Sequence, residues 1–249
     1  MPLTPETWTP DSRPTLFVIG ARSLGRAIAL HFGAQGWRVV TGARTEADVQ
    51  SVAAAVTAAG GQGHGVVCDL GKPETLRAVV AAEPRIDLCV AAQTAGGRFG
   101  SVPLVEMADE DLQRGFEGYV KGTWNLLRAV GPQMLAAGSG TFLQIGTSSG
   151  VRTKAGYGAL AAVQHGLRAL VQVAAKEWRD KGVHVAYLPI DGQIENERSG
   201  AWIEKNGLHR AIPQSAIVQA CAYLHSQPPR GWTHELVLRP PGTEWTAPT

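Results

Sequence analysis

The stretch TLFVIGARSLGRAIALHFGAQG, residues 15–36, decides the fold. It opens on a short apolar run with β-branched residues, which reads as a buried strand. It continues through a glycine-bounded turn into an apolar repeat at helical spacing that stops at Gly36. Strand, tight turn and helix within so short a span are the start of a βα unit. The same alternation runs on toward the carboxyl end. Strands are expected at residues 37–40, 63–70, 85–92, 141–147, 183–189 and 234–240. Between them lie helical patterns. One has a capping-box-like start at Thr45 and Asp48 and stops at Gly60-Gly61, and another carries Pro73 in its first turn. A long helical stretch covers residues 109–137. Leu160, Val163, Leu167, Leu170 and Ala174 mark a later helix, and residues 213–227 the last. Strands alternating with helices predict an α/β, Rossmann-like, doubly wound parallel sheet of about seven strands with helices on both faces. No linker or repeat divides it. A single domain is expected over residues 14–249, with residues 1–13, rich in proline, as an irregular arm.

Composition agrees with one globular domain. Of 249 residues 44% are apolar and 18% charged, enough for an ordinary core. The net charge of +2 is spread along the chain without a basic run, so no nucleic-acid partner is expected. No apolar run approaches the roughly 18 residues of a membrane span, and the first residues lack the pattern of a signal peptide. A cytoplasmic protein is the expectation. Cys68, Cys89 and Cys221 are far apart without ligand spacing and read as reduced core thiols; no metal site is expected.

In sheets of this kind ligands bind where the first strand turns into the first helix, whose free N–H groups favour an anion. The turn Gly20-Ala21-Arg22-Ser23-Leu24-Gly25 fails as a nucleoside-triphosphate loop, because Arg26-Ala27 stands where a lysine and a hydroxyl residue belong. As a dinucleotide turn it retains two glycines of three. After the second strand comes Arg44, where an NAD site wants an acidic residue. A guanidinium suits a 2′-phosphate; equally, Arg44 reads as a solvated charge after a strand.

The order of elements and several motifs resemble the short-chain dehydrogenase/reductase family over residues 14–240. VIGARSLGRAIA resembles its cofactor turn, VVCDL the strand whose Asp69 meets the adenine, GYVKGTWNLLRAV the long interface helix, and GVHVAYLPIDGQIEN the segment after the sixth strand. The ending SQPPRGWTHELVLRP is similar to one branch of the family. The resemblance implies a cofactor site of Gly20, Arg22, Ser23, Leu24, Gly25, Arg44, Asp69, Leu70 and Ala91, with Leu24 near the family's middle glycine. It implies a substrate cover from about 190–212 and the C-terminal segment, with Trp202, Trp232 and Trp245 as aromatic candidates, and dimers or tetramers built through residues 109–137 and 157–180.

The same frame places departures at the reacting centre. The family's asparagine motif falls on Ala91-Ala92-Gln93-Thr94, its helix asparagine on Tyr119 and its serine on Thr147. Its tyrosine, thirteen residues later, falls on Leu160, and its lysine on Gln164. Leucine cannot donate a proton, and glutamine carries no charge to acidify a neighbour. Tyr119, Thr147, Tyr157, Gln164 and Asp191 are the candidate catalytic residues in this frame, and Gln93, Gln144 and Trp202 the candidate substrate pocket. Each has a plain structural alternative: ring packing for Tyr119 and Tyr157, a turn for Asp191, core for Leu160. The expectation is a non-redox enzyme of isomerase, cyclase, lyase or dehydratase type, acting on a small apolar or polyfunctional metabolite. No cofactor is then required, or NADP(H) is kept. The alternatives are an NADPH-dependent oxidoreductase with an unorthodox proton donor and a non-catalytic binding or partner protein.

Overall fold

The structure is a computed structural model that describes residues 13–94 and 100–243. Its main sheet is built from β1 (Thr15–Ile19), β2 (Arg38–Ala43), β3 (Gln62–Val67), β4 (Leu88–Ala91), β5 (Gly140–Thr147) and β6 (Val183–Ile190). They pair in parallel in the order β3-β2-β1-β4-β5-β6. Alternation along each strand feeds two cores. Phe17, Val40, Cys89 and Phe142 pack toward α3 (Pro73–Ala82), α5 (Gly122–Ala137) and α6 (Gly158–Trp178). Leu16, Val39, Val90 and Leu143 pack toward α1 (Ser23–Ala34), α2 (Glu46–Ala58) and α8 (Gln214–Ser226). Both faces are therefore covered, as an all-parallel sheet requires.

The chain leaves β1 toward β2 on one side and reaches β4 on the other. Ile19 stands level with Gly42 of β2 and Ala91 of β4. Strand order thus reverses at the carboxyl end of β1, where such sheets open a crevice.

Three sequence expectations are corrected. The main sheet has six strands rather than about seven. Residues 234–238 do run beside β6: His234 accepts from Tyr187 N at 2.8 Å, and Asp191 N donates to Leu238 at 2.8 Å. Only isolated bridges form, at Glu235 and Leu238, because Pro189 stands between them with no N–H to complete the ladder. The capping box is also absent: Thr45 precedes α2 without a side-chain cap, while Asp48 turns toward Arg22 at 3.8 Å. The long helix is interrupted. It runs as α4 (Asp109–Gly115), a π-helical turn (Phe116–Lys121) and α5. A short two-stranded sheet of β7 (Gln193–Ile194) and β8 (Ala211–Ile212) brackets α7 (Gly200–Asn206) beyond the end of β6.

Candidate active site

The turn after β1 is held by backbone contact. Gly20 takes φ +119°, and a Cβ there would meet Ala92 O at 3.1 Å. A Cβ on Gly25 would overlap the carbonyl oxygen of Gly20 itself. These two glycines let α1 start directly behind β1. The left-handed residue of the bend is Ser23, at φ +44°, the one non-glycine residue with positive φ among the described residues. Leu24, next to it in the first turn of α1, is buried in the core. No acidic side chain sits in the first turn of α1, and Arg22 at its N-cap makes no side-chain cap. The helix start therefore presents a positive dipole end, with Gly25 N already bonded to Arg22 O at 3.1 Å. Ser23 Oγ accepts from Gln214 Nε2 at 3.1 Å, tying the turn to α8. Ala91 is buried at the end of β4, and its carbonyl accepts from Gln144 Nε2 at 3.2 Å.

Beside this turn, the ends of β2 and β3 form a depression lined by Arg44, Val67, Cys68, Asp69, Lys72 and Thr75. Asp69 Oδ1 accepts from Gly71 N at 2.9 Å, and Thr75 Oγ1 accepts from Asp69 N at 3.1 Å. Asn125 Nδ2 donates to the carbonyl of Leu70 at 2.7 Å, anchoring this loop to α5. Lys72 belongs to no motif; its position three residues after Asp69 is the signal the sequence offers.

A polar network lies behind β4 and β5. Gln93 Nε2 donates to Thr123 Oγ1 at 3.1 Å, and Thr123 Oγ1 donates to Gln144 Oε1 at 2.9 Å. Gln144 Nε2 reaches the carbonyls of Ala91 and Ile145 and Gln93 Oε1. Gln144, expected at the substrate, is 0% exposed, with its amide bonded inside the sheet. A central strand covered on both faces leaves an amide no route to solvent, so it is bonded inside. Thr123, its partner, had no sequence signal.

On α6, Gln164 is 1% exposed. Its Oε1 accepts from Thr147 N at 3.3 Å and from the Tyr187 hydroxyl at 3.5 Å. Gln164 thus faces inward, bonded to the end of β5. Tyr187, fully buried, also donates to the carbonyl of Thr147 at 3.3 Å, and burial pushes its phenol well above the usual range. Leu160 is half-buried against the same core. Thr147 Oγ1 accepts from Ser149 N at 3.2 Å, which leaves its own hydrogen to donate. Tyr157 sits half-buried at the head of α6, with Lys154 Nζ over its ring, 5.2 Å from the centroid. Tyr119 is buried in the π-helical turn.

Asp191 is no free base. Arg152 bonds both its oxygens at 2.8 and 3.0 Å, and Arg239 Nε bonds Oδ2 at 2.6 Å. Burial alone would raise its pKa, but the bonds from Arg152, Arg239 and Ser148 outweigh it and hold the carboxyl below its ordinary value. Trp202 is exposed on α7. Trp232 instead stacks on His184 (5.0 Å, 2°) and donates Nε1 to Gln227 O, outside the β7–β8 cover; Trp245 lies outside the described residues. Cys68, Cys89 and Cys221 are buried, and desolvation pushes the Cys68 and Cys221 thiols up to about 12. Among the described residues no helix is long and apolar enough to cross a membrane.

Comparison with known proteins bears directly on this cleft. A family model described as enoyl-(acyl carrier protein) reductase matches residues 18–237. An uncharacterized oxidoreductase of Mycobacterium tuberculosis is 29% identical over 170 residues, 66% of this chain and 64% of that protein, so the match spans just under two thirds of that relative's length. A 3-oxoacyl-[acyl-carrier-protein] reductase of Staphylococcus epidermidis is 25% identical over 227 residues, covering 86% and 92%. The solved structure of a metagenomic short-chain oxidoreductase in complex with NADP superimposes with a TM-score of 0.76 at 30% identity, covering 91% of this chain and 96% of that one. The expectation of a non-redox isomerase, cyclase, lyase or dehydratase is overturned by these relatives, which are named oxidoreductases and reductases. A cofactor-free reading likewise finds no support beside a relative that holds NADP.

Proposed function

The chain belongs to the short-chain dehydrogenase/reductase family, and from that premise we propose that it is an NADP(H)-dependent oxidoreductase acting on a small carbonyl or alcohol metabolite, with a proton donor other than the family's tyrosine. The observation that carries the reading is the cradle after β1. Gly25 leaves no room for a Cβ, Gly20 turns through φ +119°, and Ser23 holds a left-handed bend. The unobstructed start of α1 suits a pyrophosphate. Arg44 and Asp69 flank the adenosine side of the cleft. When bound, NADPH supplies the hydride.

This chain's residues then have to hold the substrate oxygen and deliver a proton. Thr147, at the end of β5, offers a hydroxyl hydrogen to that oxygen. Leu160 and Gln164 have neither an acid nor a charge to give. Tyr157 stands at the N-cap of α6, three residues before Leu160. It is half-buried with the Lys154 ammonium beside its ring, and it is the proton donor we assign. Tyr119, buried in the π-helical turn, serves as the control. Trp202 gives the cover an apolar face. Two copies are expected to pair through α4–α5 and α6, where Leu112, Phe116, Trp124 and Val173 are exposed.

NADPH consumption with a panel of aldehydes, ketones and 3-oxoacyl thioesters tests the assignment. Turnover with any of them supports it. Failure to bind NADPH at near-millimolar concentration overturns it.

A further inference from the structure

We propose that Lys72 acts with Arg44 as a pair of cations selecting a phosphate monoester on the adenosine ribose, so that Lys72 helps set preference for NADP(H) over NAD(H); the inference rests on the dinucleotide reading above. Ala43 stands opposite Val67 across β2 and β3, and Cys68 N donates to Ala43 O at 3.0 Å. The segments that follow, Arg44 on one side and residues 68–72 on the other, therefore leave the sheet together. Both line the depression at its carboxyl edge.

The loop that carries Lys72 is held by its backbone. Thr75 Oγ1 donates to Lys72 O at 2.7 Å and accepts from Asp69 N at 3.1 Å. Lys72 N donates to Asp69 O at 2.9 Å. Its ammonium is left for a ligand: among the described residues, neither Lys72 nor Arg44 makes an ion pair within 4 Å. Arg22, the other cation near the turn, is drawn to Asp48. Asp69 is the one carboxylate lining the depression, and its Oδ1 is turned to Gly71 N. Two cations against one carboxylate leave a positive surplus. A ribose hydroxyl does not neutralise that surplus; a phosphate monoester, carrying about −1.5 to −2 charges near neutrality, does. Val67, 55% exposed in the same depression, offers an apolar surface for a base. A guanidinium and an ammonium differ usefully here: the first can bind a phosphate bidentately, the second adds a point charge from the facing loop.

Titration calorimetry of the full chain with adenosine 2′,5′-bisphosphate and with adenosine 5′-diphosphate reads this without any substrate. The wild type is expected to prefer the bisphosphate. Lys72→Met should weaken the bisphosphate roughly tenfold, as loss of one charge-assisted bond does, and leave the diphosphate within about twofold. Lys72→Arg should restore the preference. Binding of both probes with equal affinity by the wild type, or an unchanged preference in Lys72→Met, overturns the inference and leaves the dinucleotide reading standing. Binding of neither probe overturns the dinucleotide reading itself.

Discussion

At the scale of single residues, Tyr157 carries the proposed chemistry and Asp191 a structural charge. Removing the phenol with Tyr157→Phe should lower kcat by roughly 100- to 10,000-fold, the usual contribution of a general acid. NADPH affinity should stay unchanged, and Tyr119→Phe should cost far less. Equal losses in both variants, read by steady-state kinetics, would remove Tyr157 from its role. Asp191→Asn strips the charge shared by Arg152 and Arg239 and should cost about 2–4 kcal/mol in urea denaturation. The sequence showed that polar groups gather near the ends of the fifth and sixth strands. It could not show that the partners of Asp191 come from positions 39 and 48 residues away. For the same reason the burial of Gln144, a candidate pocket residue, and of Gln164, a candidate catalytic one, was hidden: a motif frame gives the position of a side chain but not what stands opposite it.

At the scale of elements, the first βα turn carries the most. Gly25→Ala drives a Cβ into Gly20 O, so the turn must open. NADPH binding should be lost and the melting temperature lowered, whereas Gly36→Ala, where nothing lies within 4 Å, keeps its cofactor. The Gly36 variant still bears the strain of φ +82°, so a modest stability loss is expected there too. The strand and helix order was legible because β-branched runs and helical spacings differ in period. The missing seventh strand was not, since HELVLRP has a strand's composition and the obstacle, Pro189, lies in the neighbouring strand. The π-helical turn around Tyr119 was equally hidden. Such widenings are frequent at functional sites but leave no local pattern in sequence.

At the scale of the whole molecule, acid should act through two sets of groups. Burial lowers the His184 and His225 pKa values, so the fold favours their neutral forms. Their contribution is complete above the unfolded value of about 6.5 and is lost as pH falls through the lower folded values. The Asp191 and Glu235 carboxyls are held down by arginines despite burial, and their stabilisation is present above about pH 4 and disappears as pH falls through the folded values. Melting temperature should therefore decline in two stages on acidification, and His184→Gln should flatten the first. The exposed stripe of Leu112, Phe116 and Trp124 belongs to the same scale: Phe116→Asp should halve the apparent mass in light scattering if copies pair there. The family was legible in the order of motifs, while the redox assignment came from the relatives, because the residues at the reacting centre argue for loss when read alone. The central claim is that this altered centre still works beside a dinucleotide. Calorimetric titration of the wild-type chain with NADPH tests it most directly. Saturable binding is expected at one site per chain, tighter than for NADH; no saturable heat up to near-millimolar NADPH would mean that the altered centre holds no dinucleotide.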